Sequence, residues 1–346
     1  MEKFNSLVSI VILNYNSNDL LTNCVESILK TTYKNYEIIV VDNNSKDQSQ
    51  KKCKDQYNQI KLIQNQENLG YCEGNNIGLR QIKGEFIVIL NPDTLVDPNW
   101  LSELIKGYTK FGDGLFQPKL LTMDDHGRIG SAGNMINLFG FGYSHGRGVQ
   151  DNEEFDHEKI ISYASGTCLF TSKKVLDKIG LLDSFLFAYH DDLEIGWRAS
   201  EYEIKSYYIP KSIVYHAESF NFKWSPLKFY YLERNRHYCI LTHYSRTTFY
   251  KILPNLILIE FAVLYFYLSK GMLSEKIKAY FNILKNRKHI KKKYNEIQEN
   301  RIKSDKEIIK LFRDDLEIPT TLSGVSENNL FKNFIKKLSK NARKKI

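Results

Sequence analysis

Acidic side chains recur in this sequence where an apolar run stops. FIVIL (86–90) gives way to Asn91-Pro92-Asp93, and YEIIVV (36–41) ends on Asp42. A third cluster, AYHDDLEIGWR (188–198), places His190, Asp191, Asp192 and Glu194 within five positions, and His216 follows the apolar stretch 207–214. Each has a bland reading and a chemical one. Asp93 is either a turn acid after Pro92 or a carboxylate that holds Mg2+ or Mn2+ together with phosphate oxygens and waters. Asp42 either closes an Asx turn over Asn43, Asn44 and Ser45 or hydrogen-bonds the edge of a base or ribose. The acids at 191–194 either complement a helix dipole or raise one another's pKa toward the range of a general base. His216 is either structural or a metal ligand paired with Asp93. Asp97, before Pro98, reads as a helix N-cap.

These groups need a frame. LVSIVI (7–12), YEIIVV (36–41), a short run at 60–63 and FIVIL (86–90) read as strands. Between them, 18–30 carries apolar residues at helical spacing, 47–57 is a polar helix, and 75–82 begins another. Continuous apolar strands alternating with helices indicate an α/β parallel sheet covered on both faces. Ligands then bind beyond the carboxyl ends of the strands, where Asn14-Tyr15-Asn16, Asp42-Asn43-Asn44-Ser45 and Asn91-Pro92-Asp93 stand. The middle, 110–165, reads as looser, with the glycine-rich 140–148 as a loop. Residues 164–180 read as a strand followed by a helix.

The five cysteines are odd in number and lack C-x-x-C spacing, which excludes a disulfide framework and a zinc site and suits a reducing cytosol. The N-terminus begins with mixed charge and no small-residue cleavage site, so it does not read as a signal peptide. The net charge of +9 is uneven: residues 270–346 hold 21 Lys/Arg and 9 Asp/Glu. Residues 252–268 are apolar but interrupted by Pro254, Asn255 and Glu260; a charge at mid-span costs about 2.5–3.5 kcal/mol on insertion scales, so an interfacial helix is expected in preference to a spanning one. In 331–346, Phe331, Phe334, Ile335 and Leu338 at helical spacing among lysines predict an amphipathic helix resting on anionic lipid. Nucleic-acid binding lacks any zinc-finger or RNA-recognition signature.

Together these stretches resemble the family 2 glycosyltransferases, inverting nucleotide-sugar enzymes of the GT-A fold, and within them the rhamnosyltransferase-like branch. Residues 8–49 resemble the family's opening nucleotide-binding half, ENLGYCEGNNIG (67–78) its loop between strands, ILNPDT (89–94) its D-x-D or N-x-D metal motif, and DDLEIGWR (191–198) its E-D-x-D-x-x-x-R. The resemblance implies a GT-A domain over 1–240, an α/β fold with a mostly parallel sheet flanked by helices, and a helical, basic, membrane-associated region over 241–346. It implies nucleotide contacts from Leu13, Asn14, Tyr15, Asp42, Asn44, Asn75 and Asn91, and Mg2+ or Mn2+ at Asp93 and His216. Asp192 falls on the base, with Asp191 as its rival, and His190, Trp197 and Arg198 face the acceptor. Two departures stand out: Asn91 replaces the first acid of D-x-D, and the acidic pair is Asp-Asp. The implied reaction is a metal-dependent single displacement. It moves a sugar from a dTDP-rhamnose or UDP-hexose donor to a glycan or lipid-linked hydroxyl, in cell-envelope polysaccharide synthesis on the cytosolic side of the membrane. A sugar-nucleotide pyrophosphorylase would want a glycine-rich basic loop where ILNYNSND stands. A noncatalytic lipid- or polyanion-binding protein would not need acids after three separate elements.

Overall fold

The computed structural model describes residues 5–217, 225–317 and 329–346. They fall into two compact units: 1–134, 144–199 and 204–218 form the first, and 135–143, 200–203 and 219–346 the second.

The first unit is built on a ten-stranded sheet. It opens with β1 (Val8–Asn14), α1 (Asp19–Leu29), β2 (Tyr36–Asp42), α2 (Ser49–Gln56), β3 (Lys61–Gln64), α3 (Gly70–Leu79) and β4 (Phe86–Leu90). β4, β1, β2 and β3 lie side by side and parallel, with Asn14 opposite Asp42 at the strand ends. β1 and β4 are buried along their whole length, which is why they read as uninterrupted apolar runs. Then come β5 (Thr94–Val96), α4 (Trp100–Phe111), β6 (Gly114–Thr122), β7 (Ile129–Ser131), β8 (Asn134–Ile136), β9 (Gly142–Ser144), β10 (Lys159–Ile161), β11 (Cys168–Ser172), α5 (Lys173–Ile179), α6 (Asp191–Glu201) and β12 (Lys205–His216), of which β8 and β9 fall mostly within the second unit.

The sheet is mostly parallel, as the GT-A resemblance implies, with β11 inserted antiparallel between β4 and β6 and β12 returning parallel to β6. Two expectations change here. The middle of the chain is not loose. β7 and β8 are short but buried, and the glycine-rich stretch contains β9, which pairs with β8. Asp97 does not cap α4. Its Oδ1 accepts from Asn99 N at 2.8 Å, closing an Asx turn one step ahead of the helix.

The second unit is helical: α7 (Pro226–His243), α8 (Arg246–Ser269), α9 (Leu273–Lys285), α10 (Arg287–Asn300), α11 (Asp305–Ile308) and α12 (Asn329–Arg343). Ser225 and Ser245 cap α7 and α8 through their side chains. α8 is long and apolar enough to cross a membrane by length and composition. The expected lipid-facing helix, 331–346, is amphipathic, but α12 packs on α8 and its Ile335, Leu338 and Ala342 are buried. Phe331 is half-buried and Phe334 exposed, so only part of the expected apolar face is spent inside the protein.

Candidate functional site

The carboxyl ends of β1 and β2 are tied into one polar loop. Asn14, fully buried, donates through Nδ2 to Asp42 Oδ1 at 2.7 Å and to Ser49 Oγ at 2.8 Å. Asp42 Oδ2 accepts from Ser45 N at 3.0 Å, so its Asx turn is realised, and its side chain is only 1% exposed. Asn44 sits at φ +62° and donates to Gln66 O. Left-handed backbone suits Asn because its short amide can bond locally. Tyr15 is exposed, Leu13 buried. Asn75, on α3, is fully buried; its amide donates to Tyr71 O, and its Oδ1 has no donor among the described residues.

At the end of β4 the chain turns through Asn91. Its N–H donates to Thr167 O at 2.9 Å, and its carbonyl accepts from Thr94 Oγ1 at 2.7 Å. β5 then pairs with the end of β12, His216 opposite Thr94. This register brings His216 Nε2 to 3.3 Å from Asp93 Oδ1, both side chains being mostly buried. Burial pushes the Asp93 carboxyl up, but His216 more than offsets it and leaves the group below its ordinary value. Asp93 Oδ1 has no well-aligned hydrogen-bond donor among the described residues. An octahedral Mg2+ or Mn2+ with ligands at about 2.1 Å sets neighbouring ligand atoms about 3 Å apart. A buried, under-satisfied carboxylate oxygen and an imidazole nitrogen at this separation fit two of its positions.

The acidic pair reaches the same strand end through the loop before β11. Asp192 Oδ2 accepts from Gly166 N at 3.0 Å and Oδ1 from Leu193 N at 2.8 Å. Tyr71 OH donates to Gly166 O at 2.6 Å. Gly166 is next to Thr167, which holds Asn91, so residues 91–93 and 191–192 flank one short loop. Burial raises Asp191 well above the carboxylate range, and the Asp192 charge raises it further. Burial raises Asp192 too, opposed by the amides of Gly166 and Leu193. Asp192 is the more open of the two.

The segment ahead of α6 is strained. Phe187, Tyr189 and His190 all have positive φ, each costing on the order of 1–3 kcal/mol. The first amides of α3 hold it: Tyr71 N and Cys72 N both donate to Phe187 O. Gly70, at φ +79°, lets this happen, since a Cβ there would sit 2.6 Å from Phe187 O. We expect Gly70→Ala to destabilise the protein by about 1–3 kcal/mol and to lower turnover more than nucleotide affinity, read by thermal melts and kinetics.

Two expected acceptor residues are corrected. Trp197 is fully buried in α6. Arg198 is 4% exposed, with its guanidinium spent on Glu194 at 2.7 Å and on the carbonyls of Ile179 and Leu181. Neither presents an atom to an acceptor, because their face of α6 is the packed one. Glu194, fully buried in that pair, leaves the acidic cluster for the same reason. His190 stays half-buried at the start of the cluster. Sequence reasoning missed Gly70, Tyr71, Gly166 and Phe187. Of these only Gly70 and Tyr71, within the polar run 67–78, carried a local signal.

Residues 9–180 match the family described as Glycosyl transferase family 2. The low-salt glycan biosynthesis hexosyltransferase Agl10 of Haloferax volcanii is 26% identical over 200 residues, 56% of this chain and 61% of that protein. The UDP-Glc:alpha-D-GlcNAc-diphosphoundecaprenol beta-1,3-glucosyltransferase WfgD of Escherichia coli is 31% identical over 116 residues, 32% of this chain and 46% of that protein. The chain thus spans about half the length of these relatives. Among solved structures, GalNAc-T7 with UDP, GalNAc and Mn2+ superposes with a TM-score of 0.56 at 17% identity, covering 74% of this chain and 52% of that one.

Proposed function

Since residues 9–180 form a family 2 glycosyltransferase domain on a GT-A fold, we propose that the protein is a metal-dependent, inverting glycosyltransferase. The observation that supports this reading is that Asn91, two residues before Asp93, and Asp192 are both hydrogen-bonded to the loop 165–167. A donor nucleotide lies over the ends of β1 and β2, against Tyr15 and the Asn14–Asp42 loop. Asp93 and His216 would hold the divalent ion, which supplies charge neutralisation to the departing diphosphate. Asp192 accepts the proton of the attacking hydroxyl as it bonds to the anomeric carbon, and a single displacement inverts that centre.

The donor is a nucleoside-diphosphate sugar of the UDP-hexose or dTDP-rhamnose type, with the rhamnosyltransferase-like branch as the nearer kin. UDP with the GT-A neighbour and UDP-Glc in the name of WfgD favour the first. The acceptor is a hydroxyl of a glycan or a lipid-linked saccharide, again as the WfgD name suggests. The protein works peripherally on the cytosolic face of a cell membrane in envelope polysaccharide synthesis. The basic region 270–346 supports that placement.

The test is release of nucleoside diphosphate from a panel of UDP- and dTDP-sugars, with and without Mn2+ and with saccharide acceptors. No release from any donor overturns the reading. Asp93→Ala is expected to abolish the Mn2+-dependent part of donor binding in calorimetry; affinity that still rises with Mn2+ in this variant would remove Asp93 from the metal site.

A further inference from the structure

Helices α7–α9 of the second unit bury a charged cluster and leave a row of apolar side chains exposed on the outside. On α8, Ile252, Leu256, Ile259, Val263 and Tyr267 face inward. The opposite stripe, at spacings of three and four, is Ile257, Leu258, Phe261, Tyr265 and Leu268, and it is exposed: Phe261 by 65%, Tyr265 by 72%. α9 repeats the pattern. Lys276 is fully buried on its inner side, while Ile277, Phe281 and Leu284 point out, Phe281 by 67%. Inside, Glu233 and Arg236 of α7 meet Glu260 of α8 and Lys276 of α9. In water a helix pair lowers its free energy the other way round.

The surroundings say what covers this face. Residues 246–293 hold eleven Lys/Arg and two Asp/Glu. Both acids are engaged, Glu260 as above and Glu275 with Lys278. Exposed Lys251, Lys270, Lys278 and Lys285 stand beside the apolar stripes. Long lysine stems beside an apolar face, with the ammonium held away from it, suit the boundary between acyl chains and anionic headgroups. A second copy would bring one cationic rim against another. α12 does not cover the stripe, since it packs on α8 through its own buried face. Spanning is disfavoured: a transmembrane α8 would carry Arg236, Lys276 and exposed Lys278 into hydrocarbon.

We propose that the outer face of α8 and α9 is a monotopic membrane-insertion surface. Phe261, Tyr265 and Phe281 enter the acyl layer of an anionic bilayer, and the flanking lysines bind its headgroup phosphates. This rests on the membrane placement above and extends the interfacial reading of 252–268 to one surface shared by α8 and α9.

The test is flotation of the full chain with phosphatidylglycerol–phosphatidylcholine vesicles. The wild type is expected to float, to come off in alkaline carbonate, and to lose about tenfold or more of its partitioning in F261D/F281D. Thermal melts and nucleotide release on a soluble acceptor should stay unchanged. A Phe261→Trp reporter should be quenched by brominated acyl chains; this arm decides the matter if the double variant unfolds. Equal flotation of wild type and double variant overturns the proposal, as does absence of quenching. Resistance to carbonate overturns it in favour of a spanning helix. A wild-type dimer that ignores vesicles and is broken by F261D/F281D overturns it in favour of a second copy. No flotation at all removes the membrane placement too, while transfer to the soluble acceptor still judges the glycosyltransferase reading.

Discussion

Asp192→Asn is expected to lower kcat by about 10²–10⁴-fold, roughly 3–5 kcal/mol of barrier, while leaving the affinity for nucleoside diphosphate and Mn2+ unchanged. The asparagine oxygen can still accept from Gly166 N or Leu193 N, the two amides that hold Asp192 now. The loop therefore keeps its shape, and only the proton acceptor is lost. A second readout separates this from damage to the fold. Burial raises the Asp192 pKa in the folded state above its unfolded value. A group raised in this way favours folding below the unfolded pKa, and that contribution disappears as pH climbs through the folded pKa. At neutral pH the buried carboxylate is therefore a cost, and its neutral isostere should raise Tm by about 2–4 °C. Lower turnover with higher Tm is the expected pair. Full activity in the purified variant would sink the assignment. A larger loss in Asp191→Asn would exchange the two roles.

The same environment shapes the pH profile. Asp191 and Asp192 are adjacent, and their protons leave in two steps that belong to the pair. Both are raised by burial, so kcat should rise with pH along a limb displaced above the ordinary carboxylate range. In Asp192→Asn the residual rate should lose that limb. Measuring kcat between about pH 4 and 9 with saturating donor checks this.

What could be read from the sequence follows from what is local. β1, β2 and β4 were legible because a strand buried on both faces is apolar without a break. Asp93 was legible because a carboxylate cannot follow such a strand into the core. The pairing of His216 with Asp93 was one of two readings the local sequence left open; the register of β12 against β5 is what brings the two together. The antiparallel insertion of β11 was not legible, since strand direction leaves no trace in composition. Trp197 and Arg198 misled because an aromatic and a cation beside an acidic cluster look alike whether they face a ligand or a core. The basic, apolar C-terminal region was legible as a composition, but not the side on which its charges lie. Glu260, read as an interruption, has its partners on α7 and α9, 24 and 16 residues away in sequence.

That buried cluster gives the largest expected effect on stability. Glu233 is 3% exposed, Arg236 1% and Lys276 fully buried. His237 joins them at 3.2 Å from Glu233, and Tyr280 donates to Glu260 at 2.6 Å. Burial alone would raise Glu233, but Arg236, then His237 and Lys276, hold it down at about 2. Two acids and two bases balance, so removing one strands a charge. Glu233→Ala should cost about 3–5 kcal/mol, seen as an early, separate melting of the helical unit by calorimetry. Glu233→Ala with Lys276→Met restores the balance and should recover a large part of that loss; the two changes are strongly non-additive. Simple addition of the two losses would mean the cluster is a set of independent contacts. The acid side has a definite sign. Glu233 and Glu260 have folded pKa values below their unfolded ones. Their contribution is present above the ordinary glutamate value and is lost as pH falls through the folded one. The helical unit should therefore lose stability steadily from about pH 4.5 downward. Lys276→Met, which removes one of the cations holding Glu233 down, should leave the onset near the ordinary glutamate value but make the loss smaller and complete at a higher pH.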